Sequence, residues 1–218
     1  MSEKPGFFIS FEGGEGSGKT TQIRRLEEWF RHQGRDVVVT REPGGSPGAE
    51  EIRNLLLTGD PGRWDAVTEA FLMFASRRDH VERTIRPALA EGHVVLCDRF
   101  ADSSVAYQGY GHGLGPDYIR NLWMLAIGDF KPDLTLIFDL PIEVGLDRAG
   151  ARFANVSAAE DRFERMGLEF HQRLREGFME IARTQSDRCR IIDADSDVDT
   201  VGERMISAVS DALGGQGS

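Results

Sequence analysis

Residues 13–20 read Gly-Gly-Glu-Gly-Ser-Gly-Lys-Thr and fit the phosphate-loop pattern G-x-x-x-x-G-K-[ST]. Glycines in such a loop let successive backbone N–H groups point inward around an anion, and the following helix adds the positive end of its dipole. Lys19 would reach the β- and γ-phosphates, and the Thr20 hydroxyl would ligate Mg²⁺. The sequence therefore predicts a nucleoside-triphosphate site made of Gly13, Gly14, Glu15, Gly16, Ser17, Gly18, Lys19, Thr20 and Thr21.

The segments that flank this loop weigh against the alternative, which is an ordinary glycine turn with a capping threonine. Residues 7–11 are apolar and β-prone, and residues 22–30 place apolar side chains at helical spacing. Strand, glycine-rich turn and helix form the context that the motif requires. A second Mg²⁺ anchor is predicted at Asp98, which ends the apolar run 93–98; a helix-capping aspartate is the alternative.

The elements that would position these residues are short apolar strands, each followed by a helix. This pattern predicts an α/β fold with a five-stranded parallel sheet that is flanked by helices. The predicted strands cover residues 7–11, 36–40, 93–98, 134–139 and 188–192. The predicted helices cover residues 22–30, 50–57, 68–90, 116–125, 142–149, 160–183 and 198–213, and residues 100–115 are predicted as a loop with a helical stretch.

Two segments are expected to depart from the simple alternation of strands and helices. Pro87 predicts a kink or a break near the end of the long helix 68–90. The small residues and two arginines of 148–157 predict a mobile lid over about 148–160. Because the sequence contains no repeat and no long linker, residues 1–218 are expected to form a single domain.

Composition narrows the class of partner. The formal net charge of −10 argues against nucleic acid, because binding to a phosphate backbone needs a basic face. No apolar run approaches the roughly 20 residues of a membrane span, and the first residues lack the apolar region of a signal peptide. Cys97 and Cys189, the two cysteines, lie in apolar runs and are expected to be buried free thiols. We therefore expect a cytoplasmic protein without a membrane partner.

Arginines at strand ends and in the predicted lid indicate the class of reaction. Phosphoryl transfer between two polyanions works mainly by positioning and by neutralising charge, so it requires a high density of cations. No Asn-Lys-x-Asp guanine-reading motif is present, which disfavours a GTPase switch. A kinase whose acceptor is itself a phosphate is favoured by Arg41, Arg53, Arg78, Arg99, Arg148 and Arg152.

Several motifs of this chain resemble those of bacterial thymidylate kinases, and the likeness spans nearly the whole chain. The motifs are residues 11–21, 40–45 (Thr-Arg-Glu-Pro-Gly-Gly), 72–75 with Arg78, 98–100 (Asp-Arg-Phe), 103–109 and 161–164 (Asp-Arg-Phe-Glu). The resemblance implies a P-loop nucleoside monophosphate kinase-like fold. It also implies transfer of the γ-phosphoryl group of ATP to dTMP, giving dTDP and ADP for dTTP synthesis, with Mg²⁺ as cofactor and a homodimer as the assembly.

The resemblance further implies a role for individual residues around dTMP. Phe74 would stack on the thymine ring, and Arg78, one helical turn later, would reach the carbonyl edge of the base. Core packing is the alternative for Phe74. Ser104 and Gln108 would supply hydrogen bonds to the pyrimidine.

For the rest of dTMP, the resemblance implies that Arg99 clamps the acceptor phosphate with Arg53 assisting. Tyr107 would pack against the deoxyribose and disfavour a 2′-hydroxyl group. Glu15 would accept the 3′-hydroxyl or hold a Mg²⁺-bound water, and Pro43 would shape the acceptor wall.

One branch of the family places a catalytic arginine in the phosphate loop, where this chain has Gly16. The likeness is therefore to the branch that supplies this arginine from the lid. Arg152 is the first candidate and Arg148 the second, although Gly150 stands where a third lid arginine is common. Asp161 and Glu164 match the acidic pair after the lid; a helix cap and a solvated face are their alternatives.

Two other functions stay open at this point. A kinase for another nucleotide or for a deoxynucleoside would share the phosphate loop, although the predicted phosphate-binding arginines weigh against an uncharged acceptor. A nucleotide-dependent regulatory module without catalysis would bind ATP and transfer nothing. Intact Lys19, Thr20 and Asp98 disfavour that reading.

Overall fold

The computed structural model describes residues 5–58, 62–153 and 166–215, with the backbone alone for 151–153. Its strands form a five-stranded parallel sheet in the order β2-β3-β1-β4-β5. The strands are β1 (Phe7–Gly13), β2 (Val37–Arg41), β3 (Val94–Asp98), β4 (Leu134–Asp139) and β5 (Cys189–Asp193). The predicted five-stranded parallel sheet is confirmed.

Helices cover both faces of this sheet, as the strand composition predicts. They are α1 (Lys19–His32), α2 (Pro47–Leu57), α3 (Ala66–His80), α4 (Arg86–Ala90), α5 (Ala101–Ser104), α6 (Pro116–Ile127), α7 (Ile142–Phe153), α8 (Leu168–Thr184) and α9 (Val198–Gly214). Two π-helical segments, Val81–Ile85 and Val105–Gly111, follow α3 and α5. The stretch predicted as a loop with a helical part over 100–115 is helical from 101 to 111.

The remaining differences lie around the predicted lid and at Pro87. Helix α7 runs past its predicted end at 149 to Phe153, so the first residues of the predicted lid are helical. Residues 154–160 of the lid, and the start of the helix predicted over 160–183, fall outside the described residues. Near Pro87 the chain does not break: Arg86 N–H donates to the carbonyl of Val81, five residues back, in the wider π-turn.

Strand β1 divides the core because its side chains alternate between the two faces of the sheet. Phe7, Ile9 and Phe11 pack with α1 and α9 in one apolar cluster, whereas Phe8 belongs to the cluster formed with α3, α6 and α8. The second face also carries Ser10 and Glu12, the two buried polar residues of β1.

A buried polar network lies between this face of β1 and helix α5. The hydroxyls of Ser10 and Thr135 are 2.9 Å apart, and Arg188 binds the Asp102 carboxylate through two nitrogens at 2.7 and 2.8 Å. Arg188 also donates to the Thr135 hydroxyl at 2.6 Å. Glu12, next on β1, accepts from Phe100 N–H at 2.8 Å. The network fixes α5 against three neighbouring strands.

We predict that Arg188→Met destabilises the protein by about 3 kcal/mol, because the buried Asp102 carboxylate would lose its partner. Urea unfolding followed by circular dichroism measures this change. Arg183→Met is the matched control: Arg183 pairs with Glu180 on the surface, where such a pair is worth less than about 1 kcal/mol. Equal stability of the Arg188→Met variant and the wild type would contradict the structural role given to this pair.

Candidate active site

A cleft with a cavity of about 330 Å³ lies at the carboxyl ends of β1, β2 and β3. The strand register brings these ends together, since Asp98 on β3 is paired with Phe11 on β1 and with Arg41 on β2. In open α/β sheets, ligands bind at this edge, where the chain leaves neighbouring strands in opposite directions.

The phosphate loop forms one wall of the cleft. Gly16 and Gly18 have φ values of 69° and 84°, which favour glycine. A Cβ atom at Gly16 would collide with the carbonyl oxygen of Gly145 on α7, so the loop as folded has no room for an arginine there. Residues 15–20 line the cavity, as predicted, whereas Gly13 and Gly14 line a smaller cavity behind the loop. Thr21 lies in the first turn of α1.

Lys19 is folded onto this loop. Its Nζ donates to the carbonyls of Gly13 and Gly14 at 3.2 and 2.9 Å and to Ser17 Oγ at 3.2 Å. Burial, followed by the positive charge of Arg99, lowers the pKa of Lys19 to about 8. The ammonium group is therefore less stable in this structure than it would be beside an anionic ligand.

The predicted metal anchors lie next to each other at the mouth of the loop. Thr20 Oγ1 donates to Asp98 Oδ2 at 3.4 Å, and both residues line the cavity. Hydroxyl and carboxylate oxygens suit Mg²⁺, which is usually held by one or two carboxylates together with substrate phosphates. Among the described residues no group of three His, Cys, Asp or Glu side chains could hold a metal alone. This donor set fits a metal that arrives with a nucleotide.

Arg99 joins the phosphate loop to the opposite wall. It donates to Gly13 O at 2.9 Å and to Glu15 Oε1 at 2.7 Å, and its guanidinium lies 5.0 Å from the centre of the Tyr107 ring. The Tyr107 hydroxyl donates to the same Glu15 oxygen at 2.7 Å. Arg99 has a φ of 67°, a rare value for a residue other than glycine. The structure thus brings three of the predicted substrate-binding residues together.

The structure places the two residues predicted for the base wall away from the cavity. Phe74 is 3% exposed and packs in the core, and Arg78 is a surface residue that donates to Ala126 O at 3.2 Å; neither lines the cavity. Met73 and Arg77 line it instead. A shift of one residue turns a side chain by roughly 100° around a helix, which moves it from the cleft to another face.

Arg77 is buried and held on two sides. Its Nε donates to Glu42 Oε2 at 2.7 Å, and its Nη2 donates to Phe100 O at 3.1 Å. Its Nη1 is buried and has no hydrogen-bond partner within the described parts of the chain. The ring of Phe74 lies 4.6 Å from the guanidinium carbon and supports it from the core. Arg77 therefore lines the cavity with a guanidinium group that keeps one strong donor unpaired among the described residues.

Gln108 and Ser104 lie on the wall facing α3, as predicted, and both line the cavity. Gln108 is 1% exposed, and its Nε2 donates to Glu69 Oε1 at 2.9 Å. Gln108 Oε1 is buried without a partner among residues 5–58, 62–153 and 166–215. Gln108 and Arg77 thus both line the cavity, and each keeps one buried polar atom, an acceptor and a donor, without a partner in the described parts of the chain.

The other predicted residues divide into two groups. Pro43 and Arg53 line the cavity, and Arg53 Nη1 donates to Pro43 O at 2.8 Å. Arg148 is exposed on α7 and does not line the cavity. The Arg152 side chain, Asp161 and Glu164 lie outside what the structure describes.

Sequence reasoning missed Glu42, Met73 and Arg77 as lining residues. The sequence does contain a signal for Met73 and Arg77. Together with Glu69 they recur every four residues on α3 and so share one helix face. That stripe is separate from the apolar positions 70, 74 and 81, which mark the core.

Comparisons with known proteins agree on one family. The family model described as "Thymidylate kinase" matches residues 11–205. A protein named thymidylate kinase from Caulobacter vibrioides is 57% identical over 209 residues, which are 96% of this chain and 98% of that protein. One of the same name from Jannaschia sp. is 52% identical over 209 residues, with the same two coverages, 96% and 98%.

A solved structure supports the same assignment. The crystal structure of thymidylate kinase from Ehrlichia chaffeensis superimposes with a TM-score of 0.76 at 35% identity, and the match covers 94% of this chain and 99% of that one. Separately, none of the described helices combines the length and the apolar character that a membrane span needs.

The position of Lys19 predicts that ATP binding takes up a proton at alkaline pH. At pH 9 a lysine with a pKa of about 8 is mostly neutral in the free protein, whereas bound phosphates favour its charged form. Affinity for ATP should therefore fall as the pH rises above 8. Calorimetry in two buffers that differ in ionisation enthalpy should show an uptake of roughly one proton per ATP at pH 9.

Lys19→Arg is the matched control, because a guanidinium stays protonated at pH 9 and has no proton to gain. The terminal phosphate of ATP is itself ionised at this pH and contributes little. Equal proton uptake by the wild type and by Lys19→Arg would contradict the assignment to Lys19.

Proposed function

The chain belongs to the thymidylate kinase family, and we propose that it transfers the γ-phosphoryl group of ATP to dTMP, giving dTDP and ADP, for the synthesis of dTTP. The proposed enzyme is an ATP-dependent dTMP kinase whose acceptor is a phosphate group. Its substrates are held in the cleft between the phosphate loop and α3.

The observation that carries this proposal is that two side chains lining the cavity each keep one buried polar atom without a partner among the described residues. Arg77 Nη1 is a donor and Gln108 Oε1 is an acceptor. Thymine and uracil present the complementary pair, an O4 acceptor beside an N3–H donor. Cytosine presents an amino donor beside an N3 acceptor and would leave both protein groups opposed to like groups. A buried polar group without a partner costs roughly 1–3 kcal/mol, so a matching base is favoured.

We assign the remaining contacts with dTMP to the residues that line the same cavity. Arg77 replaces Arg78 at the carbonyl edge, and Met73 replaces Phe74 against the base. Ser104 assists Gln108 at the pyrimidine.

Arg99 and Arg53 would bind the acceptor phosphate, since a guanidinium fork suits a phosphate better than an ammonium does. Pro43, whose carbonyl holds Arg53, forms the acceptor wall. Tyr107 would face the deoxyribose and leave no room for a 2′-hydroxyl. Glu15, which accepts from Arg99 and Tyr107, would receive the 3′-hydroxyl.

On the donor side, residues 13–21 would hold ATP, and Lys19 would move from the loop carbonyls to the phosphates. Thr20 and Asp98 would hold Mg²⁺, which supplies charge neutralisation at the transferring phosphoryl group. The attacking oxygen of dTMP is already anionic near neutral pH, so the site needs no general base. Lys19 and Arg99 lower the repulsion between the two polyanions as they approach.

The transferring phosphoryl group also needs a positive charge beside it, and the site must exclude water during the reaction. With no side chain at Gly16 and no room for one, we assign this role to an arginine of the lid. Arg152 is the first candidate and Arg148 the second, and closure of the segment 148–160 would complete the site. Arg148 is exposed in this structure and would have to move.

We further propose a cytoplasmic homodimer formed through α3 and α6, which pack side by side. Large apolar side chains are exposed on both helices, with Leu125 84% exposed. The others are Val67, Phe71, Tyr118 and Met124. A second copy of the chain would cover this surface. Cys97 and Cys189 are free and buried, as the composition predicts for a reducing compartment.

The direct test measures ADP release from Mg·ATP with dTMP, dUMP, dCMP, dGMP, AMP, UMP and thymidine as acceptors. We predict a strong preference for dTMP, weaker turnover of dUMP and none of thymidine, which lacks the phosphate that Arg99 would bind. A single methyl group is worth only about 1–3 kcal/mol in an apolar pocket, so dUMP should react. Preference for another monophosphate would overturn the substrate, and bound ATP without any transfer would favour a regulatory module.

The reassigned base wall predicts opposite outcomes for the same substitution at neighbouring positions. Arg77→Lys should raise the KM for dTMP about tenfold or more, because an ammonium cannot bind Glu42 and the base together. Arg78→Lys, on the surface, should leave the KM within about twofold of the wild type. Steady-state kinetics with matched unfolding curves measures both. A larger effect at Arg78 would restore the original assignment.

A further inference from the structure

Glu69 is a buried carboxylate to which the phosphoryl-transfer reaction assigns no role. It is 0% exposed, on the first turn of α3, and lies behind the cleft and not on its lining. Its Oε1 accepts from Gln108 Nε2 at 2.9 Å, and His112 Nε2 lies 3.4 Å from the same oxygen. A charged residue is rarely buried unless its partners require it.

The contact fixes which end of the Gln108 amide meets the cavity. An amide has an acceptor end and a donor end of nearly equal size, so Gln108 could present either one to a ligand. An ionised carboxylate only accepts hydrogen bonds. Glu69 therefore holds the NH₂ end of Gln108, a residue that lines the cavity, and leaves its carbonyl oxygen Oε1 without a partner within the described ranges.

The helix geometry makes this arrangement rigid. Glu69, Met73 and Arg77 lie on one face of α3 at intervals of four residues, so the residue that holds Gln108 and the residue whose Nη1 has no partner among the described residues share one element. The Asp65 carboxylate caps this helix by accepting from Val67 N–H and Thr68 N–H. Acceptor and donor are thus set in a fixed relation.

We propose that Glu69 is a specificity-determining positioning residue, which orients the Gln108 amide so that the site accepts an imide edge (thymine or uracil) and rejects cytosine. The proposal rests on the proposed function, since it concerns the base of the acceptor nucleotide. Glu69 acts through Gln108 and does not itself touch the substrate.

Discrimination between thymine and cytosine depends on which end of the Gln108 amide meets the base. With Glu69 in place, Gln108 Oε1 meets the N3–H of thymine favourably and meets the N3 lone pair of cytosine unfavourably. With a neutral amide at position 69, either end of Gln108 can face the base, because the new side chain both donates and accepts. Part of the thymine preference is then lost, and cytosine gains a donor for N3.

The test compares kcat/KM for dTMP and dCMP in the wild type and in Glu69→Gln. We expect the dTMP value to fall about tenfold, mainly through KM, while the dCMP value stays level or rises. A purely structural role would lower both values by the same factor. Glu69→Met, which fills similar space without an acceptor, is the second variant, and it should lower the dTMP-to-dCMP ratio in the same way. Thermal unfolding of each variant checks that it is folded at the assay temperature.

A double variant decides whether the effect passes through Gln108. In the Gln108→Ala background, Glu69→Gln should change the dTMP-to-dCMP ratio by less than about twofold, because no amide is left to orient. An equal fall for both substrates, or the same change of ratio in both backgrounds, would overturn the proposal. Failure of the proposed function is a separate result, since it would appear as a wild type that does not prefer dTMP.

Discussion

The guanidinium of Arg77 is the point on which the acceptor side of the cleft depends. It bridges Glu42, after β2, and Phe100, after β3. Burial of a cation is costly, and here the cost is offset by a carboxylate, a carbonyl and the faces of two phenylalanine rings. A planar fork with five donors can satisfy these partners and still offer one nitrogen to the cavity, which an ammonium could not.

The phosphate-loop side of the cleft depends on a close contact between two backbone segments, one in the loop and one in α7. Strand β1 lies between β3 and β4, so the loop that follows it opens where neighbouring chains diverge. Gly16 touches Gly145 on α7 so closely that neither position has room for a side chain. This contact couples the phosphate loop to the helix that leads into the predicted lid, and it explains in physical terms why the loop carries no arginine. Charge for the transferring group must then come from elsewhere.

Much of the fold and the phosphate loop could be predicted from the sequence, because both depend on local patterns of residues. Short apolar strands predicted the sheet, and the phosphate-loop motif predicted the loop with Lys19 and Thr20. Asp98, which lies beside Thr20, was predicted because it ends an apolar strand. The residues of α3 that line the cavity could not be predicted in the same way. Arg77 and Arg78 are adjacent and chemically identical, and the difference between them lies in Glu42, a partner 35 residues away. Local spacing does not show which face of α3 lines the cavity, whereas the tertiary contact does.

The most direct measurement is a crystal structure of the protein with dTMP and a non-hydrolysable ATP analogue. The account predicts hydrogen-bond distances of about 2.7–3.2 Å from Arg77 Nη1 to thymine O4 and from Gln108 Oε1 to thymine N3. It also predicts the Gln108 NH₂ group on Glu69, with Met73 against the base. A thymine ring stacked on Phe74 with O4 at Arg78, or a base outside the cleft, would contradict it.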